Sequence, residues 1–405
     1  LLNGVALTDS IEQALNKDFV WCWDTDKREQ VLRMFDINIK IIPILNREMR
    51  LVRVVIPDTF TIASQTDTFV RSKAPARISF GGGGSDLTHY FTQDDGAVLN
   101  VAISLYCHAA LRIEKNKEIT IESFDLSQTR KFNNLNEFLL ASDEFNLFRS
   151  IIGLINPTFG FHMSINSDFP IGSGLGGSSA VITAVLGCFN ELRKDRWSEH
   201  ELAEMAFQAE RIDMGISGGW QDQYATVFGG FNFIEFKKNK NLISPLRLNK
   251  KTALELQENL VLFKVGSGRN SSTIHDDQKI MMQQTEIKNL VKRNVQHCYN
   301  LKEYILRSEL DQFGIGLDLA WNLKRQFSQK ISSDHIDDIY RHAMENGALG
   351  GKLLGAGGSG FFLFYVEPFK KNYFLKAMGA RDLYPTQFQF DNHGMQSWTN
   401  RSIQN

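Results

Sequence analysis

The sequence predicts a mixed α/β or α+β protein with two or three domains. Its 405 residues exceed the roughly 100–200 residues of one typical domain. From residue 73 onward, helical periodicities alternate with β-branched runs, which is typical of domains that combine helices with sheets. The 45 basic and 46 acidic residues give a net charge of −1, and 42% of the chain is hydrophobic. This balance argues against a chain-wide nucleic-acid surface and against disorder.

Cysteine usage and hydropathy narrow the class of protein. The four cysteines are widely separated and form no CxxC or Cys/His cluster, so neither a disulfide framework nor a structural zinc site is expected. No apolar stretch approaches the roughly 18 residues of a membrane-spanning helix, and no basic-then-apolar signal segment begins the sequence. We therefore expect a cytoplasmic protein without membrane or nucleic-acid partners.

Residues 1–60 are predicted to form a small unit, joined by a polar linker at 61–72 to the rest of the chain. The patterns indicate a helix over 26–35 and strands over 39–45 and 51–56. So short a span cannot bury a large core, and we expect it to pack on a partner module or a second copy. Residues 10–15, 24–29 and 38–45 resemble the second half of a CBS pair, a regulatory module that binds adenosyl nucleotides. A structural remnant without a ligand is the alternative.

The most informative segment is PIGSGLGGSSA at residues 170–180. Residues 160–166 before it alternate like a strand, and apolar spacing after it predicts a helix that begins near Ser178. Glycines let a backbone turn tightly and approach a ligand, while the helix N-terminus adds a positive dipole end. The segment therefore predicts a phosphate-binding loop, to which Ser178 and Ser179 add hydroxyl groups.

Two other phosphate-loop motifs fit this sequence poorly. The loop formally satisfies GxGxxG, but a dinucleotide fold needs an acidic residue at a strand end about 20 positions further on. Glu191 lies in or at the end of the helix, and a second helix follows with a predicted capping box at Ser198 and Glu201. A Walker A loop fails as well, because Asn346 stands where the first glycine before Lys352 belongs.

Three motifs in order, at 73–87, 170–180 and 355–360, resemble those of the GHMP small-molecule kinases. Residues 81–87, 218–224 and 228–232 are most similar to the sugar branch of that family. The resemblance implies a two-lobed α+β fold, with an S5 domain 2-like lobe at 73–245 and a ferredoxin-like lobe at 246–405. It also implies ATP and Mg²⁺ in a site between the lobes.

The same resemblance implies roles for individual residues. Asp222 matches the catalytic aspartate, Arg77 a basic residue that orients it, and Ser178 with Glu210 the magnesium ligands. The loop residues implied to bind ATP are Gly172, Ser173, Gly174, Leu175, Gly176, Gly177, Ser178 and Ser179. The implied substrate-binding residues are Ser85, Asp86, Arg269 and Gly357. Three alternatives stay open: Asp86 as a helix N-cap, Glu210 as a solvated helix carboxylate, and Arg269 as an exposed loop residue.

The resemblance thus implies ATP-dependent phosphorylation of a sugar phosphate at its anomeric hydroxyl, for which a heptose 7-phosphate is the favoured acceptor. Acceptors of the fucose, homoserine or mevalonate type are alternatives. A hypothesis from a different class of protein is a non-catalytic nucleotide or sugar sensor. Whether the protein forms a homodimer stays open.

Overall fold

The computed structural model describes residues 19–26, 28–36, 39–56, 68–266 and 271–401. The chain divides after Thr66 into two compact units. The predicted linker at 61–72 needs correction, because a strand already begins at Thr68 and its first residues pair with neighbouring strands on both sides. Residues 61–67 lie outside the described part.

The first unit is a three-stranded sheet with one helix. Its elements are β1 (Cys22–Trp23), α1 (Arg28–Asp36), β2 (Ile42–Leu45) and β3 (Leu51–Val55). β1 pairs in parallel with β2, and β2 pairs antiparallel with β3. The predicted order of helix, strand, turn and strand is therefore confirmed. The resemblance to a CBS repeat stays a prediction, and its segment at 10–15 lies outside the described residues.

The second unit contains two sheets. Its strands are β4 (Thr68–Gly81), β5 (Gly96–Glu114), β6 (Ile119–Ser123), β7 (Gln128–Phe132), β8 (Gly160–Ser167), β9 (Phe231–Lys237), β10 (Lys240–Pro245), β11 (Leu260–Val265), β12 (Ala348–Leu353), β13 (Gly360–Val366), β14 (Pro385–Thr386) and β15 (Gln396–Arg401). The larger sheet has the order β10-β9-β5-β8-β6-β7, with β4 between β5 and β15, and the smaller has the order β12-β13-β11-β14. The central strand β5 pairs with β4, β8 and β9, and apolar residues from both sheets share one core.

Helices accompany both sheets, as predicted for a two-lobed α+β fold. They are α2 (Thr88–Phe91), α3 (Leu135–Leu140), α4 (Asn146–Ile155), α5 (Gly177–Leu192), α6 (Glu199–Phe207), α7 (Gln221–Phe228), α8 (Lys250–Asn259), α9 (Ser271–Met281), α10 (Thr285–Leu306), α11 (Leu310–Lys324), α12 (Asp334–Glu345) and α13 (Pro368–Gly379). The predicted start of α5 is confirmed. So is the capping box of α6, in which Ser198 and Glu201 bond each other's backbone N–H groups.

The C-terminal strand does not belong to the lobe predicted at 246–405. β15 pairs antiparallel with β4 of the larger sheet, from Gln396 opposite Lys73 to Arg401 opposite Thr68. The boundary prediction is wrong here because the first residues of β4 would otherwise form an open sheet edge, and β15 supplies the missing backbone partners.

Candidate active site

The glycine-rich loop joins β8 to the N-terminus of α5. Gly172, Gly174 and Gly176 have φ angles of 72°, 74° and 74°, in a region that residues with a Cβ rarely enter. A Cβ on Gly174 would lie 2.8 Å from the carbonyl oxygen of Leu354, so a side chain has no room there. Gly176 is the N-cap of α5, and no described side chain caps the helix. Its first N–H groups therefore remain available to an anion.

The third glycine motif packs directly against this loop. A Cβ on Gly355 would lie 2.6 Å from the Cα of Gly174, and one on Gly360 would lie 2.5 Å from the carbonyl oxygen of Ser173. Gly357 lines the same cavity as the loop. Two backbone segments that are 180 residues apart thus meet without intervening side chains, which lets a ligand approach both closely.

Arg77 and Asp222 form a bidentate ion pair beside the loop. Nε and Nη2 of Arg77 donate to the two carboxylate oxygens of Asp222 at 2.7 and 2.9 Å. Nη1 of Arg77 also donates to the carbonyl oxygen of Gly174 at 2.6 Å. Burial alone would raise the pKa of Asp222, but the Arg77 guanidinium outweighs it and holds that pKa below its usual range. The structure thus brings an ionised carboxylate, a cation and the glycine-rich loop together.

Glu210 lies under the start of α5 and is only 1% exposed. The Ser178 hydroxyl donates to Oε1. The Ser179 hydroxyl and the Gln223 amide both donate to Oε2, and each of these two bonds is 2.7 Å long. The Arg211 guanidinium lies 3.3 Å from Oε1. Because Glu210 is buried, the alternative of a solvated helix carboxylate does not hold. The adjacent hydroxyl of Ser178 and carboxylate of Glu210 are oxygen donors of the kind that Mg²⁺ prefers.

A change of helical register places Glu210. α6 ends at Phe207, and Gln208–Asp213 form a π-helical turn. The apolar spacing predicts one α-helical stripe that includes Ile212, and this is wrong, since Ile212 is 67% exposed. The wider π turn holds an extra residue, which rotates the side chains that follow, and such turns often occur at functional sites.

Asp86 lies opposite Asp222 and is 4% exposed. Its Oδ1 accepts from the backbone N–H of Gly84 at 2.9 Å, and its Oδ2 accepts from the Gln221 side chain at 3.0 Å. Burial, and then the charge of Asp222, raise the pKa of Asp86. A Cβ on Gly219 would lie 1.9 Å from Oδ2, so a larger residue there would displace the Asp86 carboxylate.

The alternative role of Asp86 as a helix N-cap is not observed. The N-cap of α2 is Leu87, and it makes no side-chain capping bond. The Asp86 carboxylate points instead to Gln221 and lines the cavity.

One cavity of about 680 Å³ contains these groups. Its volume lies within the roughly 300–1,000 Å³ of small-molecule sites. Part of the lining is charged or polar, as described above. Another part is apolar and consists of Leu126, Leu147, Phe148, Phe169, Pro170, Ile171 and Val181. Such a lining suits a ligand that combines an apolar ring with a polyphosphate.

One of the predicted substrate-binding residues, Ser85, does not line the cavity. Ser85 is fully buried; its hydroxyl lies 2.8 Å from the carbonyl oxygen of Gly82 and accepts from the N–H of Ala97 at 3.1 Å. The prediction that its side chain contacts substrate is therefore wrong, because the strand-to-helix turn uses that hydroxyl internally. Arg269 lies outside the described residues.

Two loop residues also do not line the cavity. Leu175 is fully buried in the core, and its carbonyl oxygen accepts from the N–H of Arg77 at 2.9 Å. Ser179 is fully buried and holds Glu210. The implied ATP contacts of both residues stay a prediction that concerns their backbone N–H groups. Their buried side chains position the residues that do line the cavity.

Sequence reasoning missed two ionisable groups of the cavity. Lys324, the last residue of α11, donates to the carbonyl oxygen of Gly355, and burial lowers its pKa to about 8. Burial, and then the charge of Arg211, lower the pKa of His275 on α9 to about 4. A lysine in the last turn of a helix is ordinary, so no sequence signal distinguished Lys324.

The described residues also bear on membrane and metal partners. None of their helices has the length and apolar character needed to cross a membrane. They also contain no cluster of three His, Cys, Asp or Glu side chains arranged to hold a metal ion. A Mg²⁺ ion at Ser178 and Glu210 would therefore depend on phosphate and water for its other ligands, as this ion usually does.

Comparison with protein families gives two matches. The model described as GHMP kinases N terminal domain matches residues 144–230, and the model described as GHMP kinases C terminal matches residues 301–372. The two matches lie in the two predicted lobes.

Individual proteins are similar over most of the chain. D-glycero-alpha-D-manno-heptose 7-phosphate kinase of Campylobacter jejuni is 35% identical over 335 residues, which cover 81% of this chain and 98% of that protein. The crystal structure of a D-glycero-D-manno-heptose 1-phosphate kinase from Bacteroides thetaiotaomicron is 27% identical, with a TM-score of 0.67, and covers 83% of this chain and 100% of the other. Lactococcus lactis galactokinase, at 18% identity and a TM-score of 0.64, shares the fold over 84% of this chain and 97% of its own.

Proposed function

We propose that the chain, which belongs to the GHMP kinase family, phosphorylates the anomeric hydroxyl of D-glycero-D-manno-heptose 7-phosphate with ATP as donor. The product would be a heptose 1,7-bisphosphate, an intermediate toward nucleotide-activated heptose for surface glycans. The observation that carries the proposal is the placement of an ionised Asp222 beside the glycine loop in one cavity. The similarity to heptose phosphate kinases supports the choice of acceptor.

The loop and the start of α5 bind the triphosphate in this proposal. Their backbone N–H groups and helix dipole offset its charge, and the glycines allow close approach. The apolar part of the lining receives the nucleobase. Ser178 and Glu210 would hold Mg²⁺, which would neutralise phosphate charge when bound. Ser179 and Gln223 fix the second oxygen of Glu210 and so keep the first directed at Ser178.

Asp222 orients the acceptor hydroxyl and takes its proton. As the bond from the sugar oxygen to the γ-phosphorus forms, the bond from that phosphorus to the bridging oxygen of ADP breaks, and the hydroxyl proton passes to Asp222. A low pKa suits this role, since phosphoryl transfer has a loose transition state that needs positioning more than a strong base. Arg77 keeps Asp222 ionised and lies where it can also stabilise the moving charge. Asp86 binds sugar hydroxyls.

A coupled assay of ADP release over a panel of sugars tests the acceptor. The panel contains heptose 7-phosphate, fucose, galactose, mannose 6-phosphate, homoserine and mevalonate. We expect the highest kcat/KM for heptose 7-phosphate. Preference for another member would replace the acceptor, and no turnover by folded protein on any member would overturn the kinase assignment.

Asp222→Asn separates catalysis from ligand sensing. The variant should lose turnover by at least about 100-fold, as removal of a general base typically does, while calorimetry still detects ATP binding. Asp195→Asn, at an exposed residue that pairs with Arg193, is the control. A sensor would be indifferent to the change at Asp222.

A further inference from the structure

Lys324 is a buried cation at the cavity wall. It is 7% exposed and ends α11, where the negative end of the helix dipole favours a positive charge. Its ammonium group donates to the carbonyl oxygen of Gly355 in the third glycine motif. It also lies 3.6 Å from the position that a Cβ on Gly83 would occupy. Lys324 thus lies between two glycine segments that both line the cavity.

The bonding of Lys324 differs from that of the other cations in the cavity. Among the described residues of the lining, the arginines are Arg77 and Arg211, and each pairs with a carboxylate. No described carboxylate forms such a pair with Lys324. An ammonium has three N–H donors, of which one is used by Gly355. Two donors of a desolvated cation therefore lack an acceptor among the described residues, and a buried cation in this state is stabilised by an anion.

The surrounding charges favour an anion over a second cation. Asp86 and Asp222 interact with Lys324, but so does Arg77. Burial raises the pKa of Asp86 and lowers the pKa of nearby Lys352, so it disfavours the charged form of both. Lys352 donates to the carbonyl oxygen of Ser79 at 2.6 Å and lies behind the cavity rather than in its lining. His275, whose pKa is lowered to about 4, adds no charge at neutral pH.

We propose that Lys324 binds a phosphoryl group beside Asp86 and Asp222, and this inference rests on the proposed kinase function. The group is either the γ-phosphoryl of ATP or the phosphate already carried by the acceptor sugar. Both have the same chemistry, and Gly83, Lys324 and Gly355 line the same cavity.

Calorimetry on the full chain distinguishes the two sources. Four affinities are measured for wild type and Lys324→Met: those for ADP, a non-hydrolysable ATP analogue, heptose 7-phosphate and the same heptose without phosphate. Contact with the γ-phosphoryl predicts a loss of about 10- to 100-fold for the ATP analogue but not for ADP. Contact with the acceptor phosphate predicts that loss for heptose 7-phosphate but not for heptose.

The calorimetry tests phosphoryl binding by Lys324 independently of the proposed kinase function. If all four affinities of the variant stay within about twofold of wild type, or if wild type binds none of the probes, Lys324 is not a phosphoryl-binding residue. Turnover by wild type tests the kinase assignment on its own. A dissociation constant does not depend on the fraction of misfolded protein, and Lys324→Gln provides a second variant. Lys330→Gln, at an exposed lysine that pairs with Asp277, should change none of the affinities.

Discussion

Replacing Arg77 with methionine should destabilise the second unit by about 3–5 kcal/mol at neutral pH, because it leaves a buried carboxylate without its counter-ion. The Arg77 and Asp222 side chains are only 5% and 16% exposed, so solvent screens their interaction little. Methionine keeps an apolar stem in place. It removes both bonds to Asp222 and the bond to the carbonyl oxygen of Gly174.

The loss should be smaller in acid. In wild type the pKa of Asp222 is lowered, so the pair stabilises the fold above the unfolded-state pKa of about 3.9, and this stability disappears as pH falls through the folded-state pKa. Without Arg77, burial is the largest effect that remains, and only weaker attractions such as that of Arg211 oppose it, so we expect the pKa of Asp222 to rise above its usual value. As the pH falls, the buried carboxylate is therefore protonated at a higher pH in the variant than in wild type, and protonation removes its unpaired charge. The difference in unfolding free energy should therefore be larger near about pH 7.5 than near about pH 5.

Urea unfolding of the full chain, at both pH values, measures these differences. Arg112→Met is the matched control, since its pair with Glu114 is 42% and 29% exposed and should contribute about 0–1 kcal/mol. Combining Arg77→Met with Asp222→Asn should cost less than the sum of the single changes, because each removes the other's unpaired charge. A loss as small as the control's, or strict additivity, would refute the reasoning.

Two further changes test the acceptor and metal contacts. Gly219→Ala places a Cβ 1.9 Å from an oxygen of Asp86. Steady-state kinetics should show a rise in the acceptor KM of about tenfold or more, and calorimetry should show little change in ATP-analogue affinity. The control Gly379→Ala, where a Cβ meets open space, should alter neither value. Glu210→Gln should raise the Mg²⁺ concentration needed for half-maximal turnover by about tenfold or more. Glu204→Gln, at an exposed position on α6, should leave that concentration unchanged. The same Mg²⁺ dependence in Glu210→Gln and wild type would exclude Glu210 as a ligand.

Local sequence patterns were enough to predict the parts of the site that depend on local geometry. The turn from β8 to α5 is one example, because its glycines and serines determine both the backbone path and the helix start. The motif did not reveal which side chains face the ligand. Leu175 and Ser179 lie within it, yet their side chains are buried and only support their neighbours. Similarly, the π-helical turn that places Glu210 shifts the register by a residue, which apolar spacing does not reveal.

Contacts between distant segments were the least predictable. Lys324 reaches the cavity only because α11 ends beside the third glycine motif, a feature of tertiary packing. The prediction that β15 belongs to the C-terminal lobe is wrong because its position also depends on tertiary packing: its partner β4 lies more than 300 residues earlier in the sequence. Neither residue type nor spacing near these segments carries that information.

The pairing of β15 with β4 also affects how the protein is synthesised. During translation, β4 leaves the ribosome before β15, and its outer edge has no partner among the described strands until Gln396–Arg401 has emerged. The larger sheet therefore completes its assembly only after β15 has been synthesised, and until then the nascent chain carries an exposed strand edge. Chaperone binding to that edge would be most valuable in this interval, and fragments that lack β15 should aggregate even though they retain the glycine loop.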